Sequence, residues 1–326
     1  MSSSPIAISV IVCAFADDRW DDLVGALNSI QRQGLNAAET IVVTDHNDGL
    51  GARVAAEFPW ARVVPNSGQQ GLSDARNTGV AASSAPIVAF LDDDAVASPG
   101  WLEALADPYR DQRVIGVGGA AIPAWDARRP AWFPDEFDWV VGCSYRGLPT
   151  HLAPIRNPLG CNMSFRREAF AATGGFDTSV GRVGRVPVGG EETEFCIRLR
   201  QQMPNHVLLY QPTATVRHRV RAERATWRYF KARCVAEGRS KARITTLVGA
   251  GDGLASERRH AAVTLPRGVA RHLSVALREL QPAGVVRAGA IVAGLGCTVA
   301  GYAAGRMGAR QSRTPPKPEP TVGPAG

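Results

Sequence analysis

Pro86-Ile-Val-Ala-Phe-Leu91 is a short apolar run that ends abruptly at Asp92-Asp93-Asp94. Such a run, bounded by polar residues, reads as a strand buried on both faces. The three carboxylates then stand at its carboxyl end, where their mutual repulsion calls for a cation. Toward the N-terminus the same strand signal recurs in Ile8-Ser-Val-Ile-Val-Cys13, Thr40-Ile-Val-Val-Thr44 and Ala61-Arg-Val-Val64. Between these runs lie segments of helical spacing: Trp20 to Gln33, with Leu23, Ala26, Leu27 and Ile30 on one face, then Gly49 to Phe58 and Leu72 to Ala82. Strands alternating with helices of this length predict an α/β fold, a Rossmann-like, mainly parallel central sheet with helices on both faces.

In open sheets of this kind ligands bind beyond the carboxyl ends of the strands. The polar residues fall there: Asp17 after the first strand, Asp45-His-Asn-Asp48 after the second, and the Asp triplet after the fourth. A carboxylate after the second strand can accept a hydrogen bond from a base imide N–H, which suits uracil or thymine. Neither a G-x-x-x-x-G-K-[ST] loop nor a G-x-G-x-x-G turn is present, which argues against a P-loop NTPase and a dinucleotide-dependent dehydrogenase. A divalent metal on the triplet is the remaining way to neutralise phosphates.

The second half continues with a strand at Gly116 to Ala121 and an aromatic, Pro-rich stretch from Trp125 to Leu159. That stretch reads either as core or as the wall of an acceptor pocket. Gly160-Cys-Asn-Met-Ser-Phe165 reads as a strand, and Arg167 to Thr173 as a helix closed by Gly174-Gly175. Next, Gly189-Gly190 precede Glu191, Glu192 and Glu194 at a helix start. Acids there complement the helix dipole, while a turn freed by two glycines can also present Glu192 into a cleft as a general base. Ala214-Thr-Val-Arg-His218 reads as a strand ending in a histidine, alone a structural or surface residue, yet able as neutral imidazole to complete a metal site.

In order, Val10-Ile-Val-Cys-Ala-Phe15, Val43-Thr-Asp45, Gly71-Leu-Ser-Asp-Ala-Arg-Asn-Thr-Gly79, Phe90-Leu-Asp-Asp-Asp94, Asn162-Met-Ser-Phe-Arg-Arg167, Gly174-Gly-Phe-Asp177, Gly190-Glu-Glu-Thr-Glu194 and His218 resemble the family 2 inverting glycosyltransferases of GT-A fold over residues 6–240. The resemblance implies that Asp45 binds the nucleobase, that Arg76 and Asn77 lie near the nucleotide, and that Asp92 and Asp93 contact ribose and donor sugar. It also implies Asp94 and His218 as ligands of Mn²⁺ or Mg²⁺, Glu192 as the base, and Glu191 with Asn162 on the acceptor. The family's Glu-Asp pair reads Glu191-Glu192 here, one methylene longer at the base. Within the family the chain is similar to archaeal and actinobacterial transferases acting on lipid-linked sugars such as glycosyl-dolichyl phosphate. A nucleotide-sugar donor and a glycan or polyprenyl-linked acceptor are thus the expected substrates, and nucleic acid is not an expected partner. Two other readings are weighed beside this one. A sugar-nucleotide nucleotidyltransferase would want a basic, glycine-rich loop where Cys13 to Asp18 is acidic. An inactive membrane-surface binding module would not need the triplet, the Glu pair and His218.

Charge divides the chain. The 326 residues carry a net +7, with 45% hydrophobic and 21% charged residues, which excludes a collagenous or largely disordered protein. Residues 1–216 hold 17 Lys and Arg against 24 Asp and Glu, net −7, whereas residues 217–313 hold 19 against 5, net +14. The expected organisation is a catalytic domain over 1–240, a basic helical extension over 241–310 and a disordered tail over 311–326. The cluster Arg217, Arg219, Arg221, Arg224, Arg228, Lys231 and Arg233 suits an anionic membrane surface, or else a solvated helix face. The uncharged stretch Ala288 to Ala304 carries four Gly and six Ala. It reads foremost as a helix on the membrane surface, otherwise as one packed on the body or as a span slightly short for a bilayer. Six scattered cysteines without a C-x-x-C pair, and an N-terminus lacking a basic signal region, suggest reduced thiols and a cytoplasmic protein peripheral to the membrane.

Overall fold

The structure is a computed structural model and describes residues 6–180, 189–249 and 254–311. The apolar runs form β1 (Ile8–Ala14), β2 (Glu39–Thr44), β3 (Arg62–Pro65) and β4 (Ile87–Asp92), all parallel, in the order β3-β2-β1-β4. Their connections are α1 (Trp20–Gln31), α2 (Asp48–Glu57) and α3 (Leu72–Ala82).

Beyond β4 the sheet is mixed. Parallel neighbours need a crossover of a dozen or more residues, and only Asp93 and Asp94 separate β4 from β5 (Ala95–Ala97). β5 therefore leaves the neighbourhood of β4 and pairs antiparallel with a distant strand, β9 (Val207–Val220). Chain order then gives α4 (Trp101–Ala106), β6 (Val114–Trp125), the short β7 (Ala153–Pro154), β8 (Asn162–Arg166), α5 (Arg167–Thr173) and α6 (Glu191–Gln202). β8 lies antiparallel to both β4 and β6, and β9 runs parallel to β6.

Alternation along the strands feeds two cores. On one face Val10, Val12 and Ala14 meet Leu23, Leu27 and Ile30 of α1 and Trp101 of α4. On the other, Ile11, Val43 and Phe90 meet Ala75 of α3, Phe170 of α5 and Phe195 of α6. A third cluster lies outside the sheet, where Phe133, Phe137 and Val141 pack against Phe230, Leu265 and Ile291. The aromatic stretch after Trp125 thus supplies core in part.

The C-terminal part is helical: α7 (Trp227–Val248), α8 (Ala255–Arg259), α9 (Leu265–Arg278) and α10 (Pro282–Gln311). Residue 240, where the sequence suggested a boundary, falls inside α7, which runs unbroken because its inner face packs on the third cluster and on α10. Gln311 still belongs to α10, and the rest of the expected tail, 312–326, lies outside the described residues. The Ala288 to Ala304 stretch is part of α10. Its glycines let the two long helices approach closely: a Cβ on Gly301 would sit 2.1 Å from the Val235 carbonyl oxygen, and one on Gly238 of α7 2.1 Å from that of Thr298. The opposite face is open, with Val285, Val292 and Val299 all more than half exposed at seven-residue intervals. Among the described residues, Pro282–Met307 is the one stretch long and apolar enough to cross a membrane, at a mean hydropathy of 1.7.

The arginine cluster is largely engaged by the protein itself. Arg219 pairs with Asp22 at 2.7 Å and Asp126 at 2.8 Å, Arg221 with Asp22 at 3.0 Å, and Arg233 with Glu237 at 3.6 Å. Arg217, Arg228 and Lys231 are exposed.

Candidate active site

The β5/β9 register builds the centre of the site. Ala95 lies opposite His218, and the Arg219 N–H donates to the Asp94 carbonyl at 2.9 Å, so the side chains of Asp94 and His218 meet. His218 Nε2 is 3.2 Å from Asp94 Oδ1, and Asp92, Asp94 and His218 can each place one ligand atom within 4.8 Å of the others. The ring is held from behind. Gly142 sits at φ +82, and a Cβ there would come within 3.1 Å of His218 Cε1, while Cys143 Sγ lies 3.8 Å from Nδ1. Two carboxylates and an imidazole form an oxygen/nitrogen donor set that fits Mn²⁺ or Mg²⁺. Asp92 joins Asp94 and His218 in that set, in keeping with a metal on the triplet, whereas the family resemblance assigns it to ribose and donor sugar.

Besides Arg76, which lies 3.3 Å from Asp92, two guanidinium groups face the triplet. Arg19 pairs with Asp93 at 2.7 Å and Asp94 at 3.5 Å, and Arg224 lies 3.7 Å from Asp94. Burial and the charge of Asp94 push the Asp93 carboxyl up to about 7, with Arg19 pulling against them. Asp94 goes the other way: burial is outweighed by His218, Arg19 and Arg224, which hold it well below the usual carboxylate range. Against the pull of burial, Asp94 correspondingly raises His218 well above an ordinary imidazole.

The three acids at the start of α6 have separate fates. Glu194 is held by Arg198 one turn on, at 2.7 Å. Glu191 accepts from Arg76 at 2.9 Å through Oε1, while its buried Oε2 has no hydrogen-bond partner. Glu192 makes no ion pair among the described residues. Burial and the charge of Glu191 push its carboxyl up to about 7. Gly190, at φ +111, lets the chain enter the helix here, since a Cβ would come 2.8 Å from Ile244 Cδ1 of α7.

Asp92, Asp94, Arg76, Glu191, Glu192 and His218 line one cavity of about 1220 Å³. Trp139 and Tyr145 line it too, so the aromatic stretch is both core and pocket wall. The cavity does not receive every residue singled out from sequence. Asp45 is buried, with Oδ1 accepting from Asn66 at 2.7 Å and Oδ2 from the Gly71 N–H at 3.0 Å, so it ties down the approach to α3. Asn77 exchanges two hydrogen bonds with the backbone of Phe176. Asn162 is a strut of the sheet: fully buried, it accepts from Trp101 Nε1 at 2.8 Å and donates to the carbonyls of Ala120 at 2.9 Å and Ala214 at 2.8 Å. Its side chain is spent on these contacts and does not line the cavity. Sequence reasoning in turn missed Arg19 as a partner of the triplet, and the share of the wall contributed by α7, α8 and α10. Arg19 follows Asp17-Asp18 after the first strand, and that position at the ligand edge was the available signal.

Comparison with known proteins bears on the family and the fold. Residues 9–174 match the family model for glycosyl transferase family 2. The chain is 35% identical over 238 residues to a glucosyl-dolichyl phosphate glucuronosyltransferase of Haloferax volcanii, covering 72% of this chain and 76% of the relative. It is 25% identical over 308 residues to the succinoglycan biosynthesis protein ExoM of Rhizobium meliloti, covering 88% and 94%. Among solved structures, the mannosyltransferase PcManGT of Pyrobaculum calidifontis, in complex with GDP-Man and Mn²⁺, superposes with a TM-score of 0.55 at 15% identity, over 91% of this chain and 90% of that one. GalNAc-T7 with UDP, GalNAc and Mn²⁺ gives 0.52 at 18% identity, over 72% of this chain but about half, 48%, of that one.

The placement of Asn162 is open to a direct check. Asn162→Ala strands the Trp101 indole N–H and two buried carbonyls, and is expected to destabilise the protein by about 3 kcal/mol in urea unfolding. A variant of wild-type stability that loses only acceptor affinity would return Asn162 to an acceptor-binding role.

Proposed function

The chain belongs to glycosyl transferase family 2 and has its GT-A fold, and from that premise we propose that it moves a sugar, with inversion, from a nucleoside diphosphate donor to a hydroxyl of a polyprenyl phosphate-linked acceptor. The observation that carries the reading is the meeting of two acid sets, Asp92 with Asp94 and His218, and Glu191 with Glu192, in one cavity. The acceptor class is taken from the Haloferax relative, which covers most of both chains.

Asp94 and His218, with Asp92 beside them, would hold Mn²⁺ or Mg²⁺, which supplies stabilisation of the charge developing on the leaving diphosphate. Asp45, Arg76 and Asn77 then belong to the nucleotide side, where Asp45 and Asn77 set the loop and turn around it. Asp92 faces ribose and sugar, and Asp93, which is buried on Arg19 and does not line the cavity, supports that side through Arg19. Glu191 is pinned by Arg76 through one oxygen and offers the other, unpartnered, to an acceptor hydroxyl. Glu192 takes the proton as that oxygen attacks the anomeric carbon from the face opposite the diphosphate. Its raised pKa suits a base working near neutral pH, and the extra methylene relative to Asp is accommodated at the second residue of α6. Contact with an anionic membrane surface is assigned to the open stripe Val285, Val292 and Val299 of α10.

A panel of nucleotide sugars, read by Mn²⁺-dependent thermal stabilisation and nucleotide release, tests the donor and the metal together. Asp94→Ala should lose both signals, and undiminished turnover in that variant would remove the metal assignment. Glu192→Gln should retain donor binding and lose transfer by about 10²-fold or more, while Glu192→Asp keeps measurable activity. Because Glu192 must be ionised to accept a proton and its pKa is raised to about 7, kcat/KM should fall as pH drops through about 7. A flat profile between pH 5 and 8, about the range in which such a base titrates, would move the base elsewhere. For the membrane face, Val285→Glu with Val292→Glu should reduce co-sedimentation with anionic vesicles, and unchanged sedimentation would reject the stripe.

A further inference from the structure

The cavity does not end at the acids. Its far wall comes from the C-terminal helices, through Lys241 of α7, Arg258 and Arg259 of α8, and Leu295, Val299 and Tyr302 of α10. At about 1220 Å³ it exceeds the roughly 300–1,000 Å³ typical of a site for one small ligand. There is room for a second substrate beyond the donor.

The charges on that wall are not equivalent. Lys241 is buried between Glu237 at 3.3 Å and Glu257 at 2.8 Å. Arg156, from the segment before β8, grips both oxygens of Glu257. Glu257 is thus the hub of an internally balanced cluster that fixes α8 against α7. The next two residues, Arg258 and Arg259, are exposed at the cavity rim and make no ion pair among the described residues. Their guanidinium groups, on long side chains next to the residue that Lys241 and Arg156 fix, are suited to phosphate, because the planar fork matches phosphate oxygens.

An apolar exit lies next to them. Gly238, one helical turn from Lys241, packs against the Thr298 carbonyl and the Tyr302 N–H of α10. Val299, between these two, lines the cavity and is also 58% exposed on the outer face, in the stripe with Val285 and Val292. The lining therefore offers acids at Glu191 and Glu192, a cationic pair at α8, and an aliphatic path over α10. An amphiphile with hydroxyl, phosphate and hydrocarbon chain presents the complementary groups.

We propose that Arg258 and Arg259 hold the phosphate of a prenyl phosphate-linked acceptor, and that its chain leaves the cavity over Val299 along α10 toward the membrane. This subsite rests on the lipid-linked acceptor reading above and adds to it the residues that recognise the carrier. The donor diphosphate is assigned to the triplet at the end of β4 and the lipid phosphate to α8, so the two phosphates call on different residues.

The test uses the full chain with phosphatidylcholine vesicles containing a few mole per cent of dolichyl phosphate, against vesicles matched in charge with phosphatidylglycerol. Wild-type protein should prefer dolichyl phosphate. Arg258→Glu with Arg259→Glu should weaken that binding by about tenfold or more, and Val299→Glu should weaken it as well. Both variants alter exposed side chains, and their stabilisation by Mn²⁺ with UDP should match the wild type. Dolichyl phosphate binding unchanged by the charge reversal overturns the subsite and leaves the acceptor reading standing. Equal losses on both vesicle types in the charge-reversed variant also overturn it, since they describe general attraction to an anionic surface. A wild-type protein with no preference for dolichyl phosphate, yet normal Mn²⁺ and UDP stabilisation, overturns the lipid-linked acceptor itself.

Discussion

The Arg76 guanidinium is 2% exposed and lies between the rings of Phe90 and Phe176, 5.8 and 5.7 Å from their centroids. It bonds Glu191, Asp92 and the Gly160 carbonyl at once. One side chain thus joins α3, the end of β4, the loop before β8 and the start of α6. A buried ion costs several kcal/mol unless its partners are placed well, so the positions of Asp92 and Glu191 are fixed by the same constraint that keeps Arg76 in the core. Five carboxylates converge on this edge. Arg76 holds two of them, Arg19, Arg224 and His218 hold the rest of the triplet, and Glu192 makes no ion pair among the described residues. The site is acidic where a cation and a proton must be received, and neutralised elsewhere.

The opposed charges of the two halves serve the same arrangement. Read linearly, the −7 front and +14 back look like a catalytic unit followed by a basic appendage. In three dimensions β9, on which the sign changes, is an inner strand of the sheet. Arginines at its end and just beyond it return to the front: Arg219 to Asp22 and Asp126, Arg221 to Asp22, and Arg224 to Asp94. Part of the apparent basic excess therefore closes the acidic edge. What remains for an outside anion is narrower than composition suggests and includes the pair on α8.

The central architecture was legible because period and burial coincide. Runs such as Ile87 to Leu91 have no polar position to point anywhere but inward, and α1 shows its inner face at every turn. The metal centre was legible in part, because an acidic triplet at a strand end is an unusual place to concentrate charge. Other features were hidden for definite reasons. β5 is three residues long and owes its existence to pairing with residues about 120 positions later, which no local pattern encodes. Asn162 carries the chemistry of a ligand, and only the arrival of Trp101, Ala120 and Ala214 from three other segments makes it a strut. The glycines of α10 dilute its hydropathy when counted along the chain. Gly294 and Gly301 are instead where the helix meets its neighbours, while Gly289 and Gly296 face open space.

The C-terminal helices also bear on the chemistry of the base. Glu192 begins a helix whose entry is covered by α7: Ile244 fills the space where a Gly190 side chain would lie, and Arg233 Nη2 approaches to 3.4 Å from the Cβ position of Gly189. Burial is the foremost cause of the raised pKa of Glu192, the charge of Glu191 adds to it, and Lys241 of α7 pulls the other way. A carboxylate at an exposed helix start would be a weaker base, held ionised by solvent and by the helix dipole. The first helix after the sheet therefore acts on the proton affinity of a group that α6 positions, through the charge of Lys241. The base on α6 and the wall residues Arg233, Glu237 and Lys241 of α7 accordingly face one cavity, and the basic helix tempers the carboxylate rather than creating its affinity for a proton.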